Sequence, residues 1–420
     1  MIPLEEKKII VGLDIGTTKV STLIGEILID NTINIIGIGT CQSRGIYNGI
    51  INDLESVIKC VKQSIHAAEV MSQTNVNSIF LSISTKDINC QNEIGIIPIN
   101  KRAITKLDID NIIHTAKSVP ISNEHHILHV IPQEYAIDQQ IGIKNPIGLS
   151  GIRMTANVHL ITCHSTIKKN IIKSIKNCGI QINQIVFSGL ASSIAVLTQE
   201  EKELGVCLID IGGGTLDITI YIDGILRHSQ VIPYAGNSIT NDIAYAFSTS
   251  YTNAEKIKIK YGNINSYTSS DIEYIEVMNK SGIYNQKFKI HTLTEIIEPR
   301  CSELLYLVNN EIVQIQNSLK KSGKNYQLLA GIVLTGGSAK IKSLTVCAEK
   351  IFNKKVRIGL PNIINGIIDQ IHEPDYSTVL GLLYYGRKKY HKNKQRNIIE
   401  KQNFCKKWLK KINSWVKKII

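Results

Sequence analysis

The 420-residue chain is poor in large aromatic residues, with two Trp and six Phe, and both tryptophans, Trp408 and Trp415, fall among its last thirteen residues. Nothing in it approaches eighteen consecutive apolar residues, so no segment reads as a membrane-spanning helix. Met1-Ile-Pro-Leu-Glu-Glu-Lys-Lys8 lacks the charged and apolar regions of a secretory leader. The expectation is a cytoplasmic protein that neither enters a secretory route nor spans a membrane. Nine cysteines, at positions 41, 60, 90, 163, 178, 207, 301, 347 and 405, include no Cys-x-x-Cys. An odd, scattered set is a reduced pattern rather than a disulfide or zinc framework. His125, His126 and His129 contain an i, i+4 pair, but they run into the strand pattern Val130-Ile-Pro132, and no Cys or acid completes a ligand set. The P-loop motif Gly-x-x-x-x-Gly-Lys-Ser/Thr and a complete Gly-x-Gly-x-x-Gly are also missing, which leaves those two phosphate-binding designs without their motifs.

Charge is confined to one place. Arg387 to Ile420 holds thirteen Lys and Arg against one acid, Glu400, in a protein whose net charge is +13. The first 386 residues are close to neutral, so the body is no general polyanion binder. One basic tail implies one local anionic partner, either a phospholipid surface or nucleic acid.

The most informative stretch is Asp210-Ile-Gly-Gly-Gly-Thr-Leu-Asp217, between the apolar run Gly205-Val-Cys-Leu-Ile209 and the alternating run Ile218-Thr-Ile-Tyr221. This pattern predicts strand, tight turn, strand. Gly212, Gly213 and Gly214 let backbone amides press against an anion, with Thr215 beside them. Asp210, at the end of the first strand, is placed to hold Mg²⁺ through water, because that ion keeps most of its waters. A plain hairpin is the competing reading. The pattern returns near the start: Ile9-Ile-Val-Gly-Leu13 leads into Asp14-Ile-Gly16-Thr17-Thr18-Lys19 and a second strand. Two such copies, about half the chain apart, predict two like-folded halves facing one nucleotide. A third turn, Ile332-Val-Leu-Thr-Gly336-Gly337-Ser338-Ala-Lys340, follows an apolar strand where backbone can approach a purine or phosphate.

These three stretches resemble the two phosphate motifs and the adenosine motif of the actin, Hsp70 and sugar-kinase superfamily. Within it, the chain as a whole resembles the FtsA family of bacterial cell-division proteins. The likeness runs through Ser43-Arg-Gly45, Gln91-Asn-Glu-Ile-Gly95, Ile131-Pro-Gln-Glu-Tyr135, Asn145-Pro-Ile-Gly-Leu-Ser-Gly151, Val231-Ile-Pro-Tyr-Ala-Gly236 and Ile297-Glu-Pro-Arg300 to the basic tail. It implies an α/β, actin-like (ribonuclease H-like) two-domain ATPase fold with an inserted α+β subdomain and a C-terminal amphipathic helix. It implies ATP and Mg²⁺ as ligands, with Asp14, Asp210 and Asp217 orienting metal and waters, the glycine turns holding phosphates, and Gly336 and Gly337 facing the adenosine.

With the resemblance as a guide, the chain divides into subdomain 1A (1–83, resumed at 163–197 and 361–386), the insert 1C (84–162), subdomain 2A (198–230 and 307–360) and subdomain 2B (231–306). A flexible basic linker (387–403) and an amphipathic helix (404–420) follow. Asn52 or Asp53 can cap a helix carrying Leu54, Val57, Ile58, Val61 and Ile65 at helical spacing. Helices are also predicted over about 107–119, 166–178 and 293–320. Residues 262–290 read as a variable hairpin. Gln184-Ile-Val-Phe-Ser-Gly-Leu-Ala-Ser-Ser-Ile-Ala195 offers small residues for close packing at a hinge, and chaperone and filament relatives place a water-activating carboxylate near its start. Ser188 stands there instead, with no acid nearby in sequence, and a hydroxyl without a base is a poor general base. The expectation is tight ATP binding with at most slow hydrolysis. Glu255 and Lys258 share a helix face and can meet a ribose hydroxyl and a phosphate or base edge, or form an ordinary solvated face. In the family, 2B binds the C-terminal peptide of the ring protein FtsZ. Arg300, with Glu303 beside it, is the candidate contact here, a structural ion pair being the alternative.

In the tail, Phe404, Trp408, Leu409, Ile412, Trp415, Val416, Ile419 and Ile420 form one helical stripe, while Lys406, Lys407, Lys410, Lys411, Lys417 and Lys418 fill the other side. A cationic amphipathic helix with tryptophans at its edge lies in the plane of an anionic bilayer, each lysine near the surface adding about 1 kcal/mol. A helix docked on the protein's own body is the alternative. The reading carried forward is an ATP-binding, actin-like membrane anchor that polymerises on the cytoplasmic face of the inner membrane at the division septum, holds the FtsZ ring there and helps recruit later division proteins. Nucleic acid has no part in it. A sugar-kinase-like phosphotransferase shares the nucleotide motifs but has no use for the tail. A pilus-associated actin-like scaffold differs mainly in its partner.

Overall fold

In the computed structural model, two copies of one strand pattern face each other. Residues 8–391 are described, apart from 120, 123, 265–273, 280–284, 322–326, 363–364 and 367–370. The first copy is β1 (Ile9–Ile15), β2 (Lys19–Ile27) and β3 (Ile33–Gln42), an antiparallel meander that a short hairpin, β4 (Ile46–Tyr47) and β5 (Ile50–Ile51), follows. Helix α1 (Leu54–Ser72) comes next, and Asp53 rather than Asn52 caps it, accepting the amides of Glu55 and Ser56 at 3.1 and 3.3 Å. Val57, Val61 and Ile65 are buried beneath it, whereas Leu54 and Ile58 stay partly exposed. Strand β6 (Ser78–Ile83) then pairs parallel to β1.

An insert interrupts the pattern: β7 (Ile88–Pro98), α2 (Lys106–Lys117), β8 (His125–Ile137), β9 (Gln140–Ile143) and β10 (Arg153–His164). Its strands form an antiparallel sheet in the order β7-β10-β8-β9, with α2 covering a core of Ile99, Ile104, Ile112, Tyr135, Ile137 and Met154. The three histidines of the sequence reading lie in β8, where His129 Nε2 accepts the Phe187 amide at 3.0 Å. Helix α3 (Ser165–Lys176) and strand β11 (Gln181–Phe187) complete the first sheet, β11-β6-β1-β2-β3, which β19 (Asn365–Gly366) extends.

After α4 (Ser188–Val196) and α5 (Gln199–Leu204) the pattern repeats with β12 (Val206–Ile211), β13 (Leu216–Ile222) and β14 (Ile225–Ile232), antiparallel again. Helices α6 (Gly236–Ala246) and α7 (Tyr251–Tyr261), the hairpin β15 (Tyr274–Met278) and β16 (Asn285–Lys289), and α8 (Ile290–Lys321) intervene before β17 (Gly331–Thr335) pairs parallel to β12. Helix α8 is one continuous element through residues 306–307, where the sequence reading sets a subdomain boundary, because its stripe of Ile297, Leu304, Leu305, Val308 and Ile312 is buried along its length. Helix α9 (Leu344–Phe352) and β18 (Val356–Ile358) finish the second sheet, β14-β13-β12-β17-β18, which matches the first strand for strand. Every residue of β12 and β13 is buried, as both faces of a central strand should be.

The last described element, helix α10 (377–391), crosses back to the first half. One buried cluster unites Ile10 and Leu23 of the first sheet, Ala191 of α4, Leu208 and Val333 of the second sheet, and Val379 and Leu383 of α10. The halves therefore share a core behind the two hairpin turns, which fixes the turns opposite one another. Phe404, Lys407, Trp408, Leu409, Lys411, Ile412, Trp415, Val416 and Ile419, the residues expected to touch a membrane, lie outside the described residues.

Candidate functional site

Between the two halves lies a cleft of about 610 Å³. All sixteen residues that the sequence reading assigns to the nucleotide line it: Asp14, Gly16, Thr17, Thr18 and Lys19; Asp210, Gly212, Gly213, Gly214, Thr215 and Asp217; Glu255 and Lys258; and Gly336, Gly337 and Ser338. The turns are short and internally bonded: the Gly16 amide donates to Lys19 O and the Gly212 amide to Thr215 O, each at 3.0 Å. They approach so closely that a Cβ on Gly213 would overlap Thr18, and one on Gly214 would overlap Thr17. Glycine is required there by the closeness of the other half, an additional reason to the room it leaves for an anion.

Gly336 follows Thr335, the β17 residue paired with Asp210, and has a φ of 86°. A side chain there would be strained and would also strike Asp210 Oδ1. Ser338 Oγ donates to Gly212 O at 2.9 Å, tying this third turn to the second hairpin.

Of the acids that line the cleft, the three from the hairpins, Asp14, Asp210 and Asp217, are each held by hydroxyls. Ser82 Oγ donates to Asp14 Oδ1 at 2.5 Å. Ser192 and Thr378 donate to Asp210 Oδ2, the latter at 3.1 Å. Ser84 Oγ, from the first half, donates to Asp217 Oδ1 in the second half at 2.6 Å. Hydroxyls carry no charge, so burial dominates the titration. Burial raises Asp14, with Ser82 and Lys19 opposing, and it pushes Asp210 up to about 6. Asp217 is raised well above the usual carboxylate range by burial first and the charge of Asp210 second. A set of buried acids that resist ionisation is suited to a cation brought with an anionic ligand. Among the described residues, no three His, Cys, Asp or Glu side chains converge closely enough to hold a metal by themselves. The fit is therefore to an ion held partly by water and by the ligand's own oxygens.

Ser188, which has no acid near it in sequence, opens α4 and lines the cleft that Asp210 and Asp217 also line, and a Cβ on the next residue, Gly189, would meet the Cβ of Asp217. Glu255 and Lys258 on α7 form an ion pair at 2.8 Å rather than a solvated face. Lys258 is buried, and its ammonium also donates to Gly236 O at 3.1 Å and Thr240 Oγ1 at 2.8 Å, so its three donors are directed into the protein. Arg300 likewise makes a structural ion pair, with Asp242 at 2.6 Å and with Glu303.

The sequence reading missed Ser82, Ser84, Ser192, Thr378, Tyr251, Lys340 and Asp375. Ser82 and Ser84 carried a signal, since residues two apart at the end of an extended strand share a face. Asp375 carried none: its partner Lys19 is 356 residues away, at 2.5 Å.

The family model for cell division protein FtsA matches residues 207–381, and that for the SHS2 domain inserted in FTSA matches residues 85–162. Over 420 residues, covering all of both chains, the sequence is 57% identical to cell division protein FtsA of Buchnera aphidicola subsp. Schizaphis graminum and 51% identical to that of Escherichia coli K12. Among solved structures, it is similar to the PilM-PilN type IV pilus biogenesis complex, with a TM-score of 0.64 at 14% identity, covering 90% of this chain and 98% of that one. It is also similar to MreB5 of Spiroplasma citri bound to ADP, with a TM-score of 0.52 at 16% identity, covering 93% and 98%. These two likenesses bear on the fold alone, and that fold is the actin-like α/β fold.

Proposed function

The chain belongs to the FtsA family of bacterial cell division proteins, and on that premise we propose that it binds ATP with Mg²⁺ between its halves and anchors the FtsZ ring to the membrane. The observation that carries the nucleotide part is the pair of facing hairpins, whose glycine turns and buried acids line one cleft. Solved structures of MreB5 with ADP and with AMPPNP lend support by analogy of fold.

In this reading Gly16 to Thr18 and Gly212 to Thr215 hold phosphates from opposite sides, so a ligand that touches both turns draws the halves together. Asp14 and Asp210 would hold a Mg²⁺ largely through water, with Asp217 orienting a further water, and the ion would supply positive charge against the phosphates. The turn at Gly336 to Ser338 admits the adenosine. Glu255 meets the ribose, while Lys258 keeps Glu255 in place through their ion pair. Hydrolysis is slow at most, because Ser188 stands where a water-activating carboxylate would be needed, and a hydroxyl is a poor general base.

The remaining parts rest on sequence and on family membership. The stripe from Phe404 to Ile420 lies on the cytoplasmic leaflet of the inner membrane, where its lysines meet anionic lipids. Protofilaments of the body multiply that weak attachment. The FtsZ peptide docks near Arg300 and Glu303; an acidic peptide there must take the place of Asp242 or Glu303 on the guanidinium. Later division proteins are recruited to the assembled form.

Co-sedimentation with vesicles containing anionic lipids tests the anchor, comparing the full chain with one ending at Asn403, each with and without ATP. The proposal expects the full chain alone to pellet, and more of it with ATP. If both forms stay in solution, the membrane part falls and the nucleotide part stands.

A further inference from the structure

At the mouth of the cleft, Lys19 is already committed. Its ammonium lies 2.5 Å from Asp375 Oδ2 and 3.7 Å from the centre of the Tyr376 ring. Both partners of the ion pair are about a quarter exposed, at 26% and 25%. Asp375 sits in the single turn Pro374–Tyr376, which is fastened to the second half: the Gly336 amide donates to Pro374 O at 3.2 Å, and Thr335 Oγ1 donates to the same oxygen at 3.3 Å. Lys340, from the turn after Gly336, adds a bond to Glu373 at 2.9 Å and approaches Asp375 Oδ1 at 3.6 Å. Burial alone would raise Asp375, but Lys19 and then Lys340 outweigh it and hold the carboxylate below its usual range. The first hairpin's ammonium is thus strapped to the second half by a residue that no phosphate motif contains.

We propose that Asp375 is the counter-ion a phosphate tail must displace from Lys19, so that this ion pair makes the cleft grade its ligands by number of phosphates. The inference rests on the reading of the cleft as a nucleotide site. A nucleoside does not reach Lys19 and leaves the pair intact. A di- or triphosphate takes the ammonium, and the freed Asp375 then adds to the negative charge that Asp14, Asp210 and Asp217 already set against the phosphates. Asp375 acts through Lys19, as a positioning residue.

Calorimetric titration of the full chain with ATP, ADP and adenosine, and with inorganic tripolyphosphate, tests this on wild type, Asp375→Asn, Asp375→Glu and the double variant Lys19→Met/Asp375→Asn. Asp375→Asn should bind ATP, ADP and tripolyphosphate about fivefold more tightly than wild type, the scale of a partly exposed ion pair, with adenosine unchanged. Asp375→Glu should restore the wild-type ratio of ATP to adenosine affinity, and the double variant should lose the gain. Equal changes for ATP and adenosine would mean that Asp375 only shapes the pocket, and weaker ATP binding in Asp375→Asn would mean that it prepares Lys19 for phosphate; either overturns the proposal. If wild type binds neither ATP nor adenosine, the nucleotide reading falls on its own. Tripolyphosphate then decides the inference: tighter binding to Asp375→Asn upholds it, and equal or absent binding overturns it.

Discussion

Asp210 on β12 and Asp217 on β13 stand directly opposite each other in register, so two carboxylates project from the same face of the second hairpin. Like charges placed this way repel. The equivalent pair in the first hairpin is Asp14 and Ser21, which spares that half the conflict. The second half therefore carries a built-in electrostatic cost, which a cation would relieve, and the proposed binding of metal and anion together draws on that relief.

That cost has a pH signature in the ligand-free protein. The folded-state values of Asp210 and Asp217 lie above 3.8, so the protonated acids favour the fold. Their contribution is complete below about 3.8 and is lost as pH rises through about 6 for Asp210 and through the raised value of Asp217. Asp217→Asn should raise the melting temperature by about 2–4 °C at pH 7.5, with the gain shrinking as pH falls toward about 3.8. A gain that stays the same as pH falls, in differential scanning calorimetry, would contradict the account.

Histidine burial predicts the opposite dependence on the acid side. His159 bridges the insert and the second half: its ring nitrogens lie 2.7 Å from Asn92 Oδ1 and 2.7 Å from Ser229 Oγ. Desolvation lowers it to about 3, so it is neutral in the fold, and its contribution, present above about 6.5, is lost as pH falls toward that value. On going from pH 7 to pH 5, wild type should lose on the order of 2 kcal/mol more unfolding free energy in urea than His159→Gln does. Parallel pH curves for the two proteins would remove His159 from the explanation.

Close approach of the turns makes Gly214 a steric sensor. A Cβ there meets Thr17 and the Asn48 backbone across the cleft. Gly214→Val should weaken ATP binding by at least about tenfold while leaving far-ultraviolet circular dichroism unchanged, and pairing it with Thr17→Ala should restore part of the loss. Wild-type affinity in the single variant would mean that the halves need not meet around the ligand.

Lys258 is predicted to matter for stability before it matters for ligand. With its donors spent on Glu255, Gly236 and Thr240, Lys258→Met should destabilise the protein by about 2 kcal/mol in urea unfolding, from the orphaned acceptors. Glu255→Gln, which keeps the hydrogen bonds, should cost about half as much. Equal stability of wild type and Lys258→Met would return this pair to the status of a solvated helix face.

The repeated Asp-Ile-Gly turns were legible because strand, glycine turn and second strand are local patterns, and their duplication foretold two matching sheets. The serines holding Asp14 and Asp217 were half-legible, through the spacing of Ser82 and Ser84. The bond from Asp375 to Lys19 joins two segments that nothing local connects, and it becomes visible only when α10 returns across the first half. Arg300 exposed a different limit: its sequence neighbour Glu303 was apparent, but Asp242, on α6, was not, so the structural ion pair that the sequence offered as one alternative lacked its main partner until the fold supplied it.

The central claim is that the two facing turns make one nucleotide site. Equilibrium dialysis of the full chain against labelled ATP, with Mg²⁺ and with a chelator, addresses it most directly. The account predicts saturable binding of one ATP per chain that Mg²⁺ strengthens and Asp210→Ala abolishes. Binding that does not saturate, or that is indifferent to both Mg²⁺ and Asp210, would contradict it.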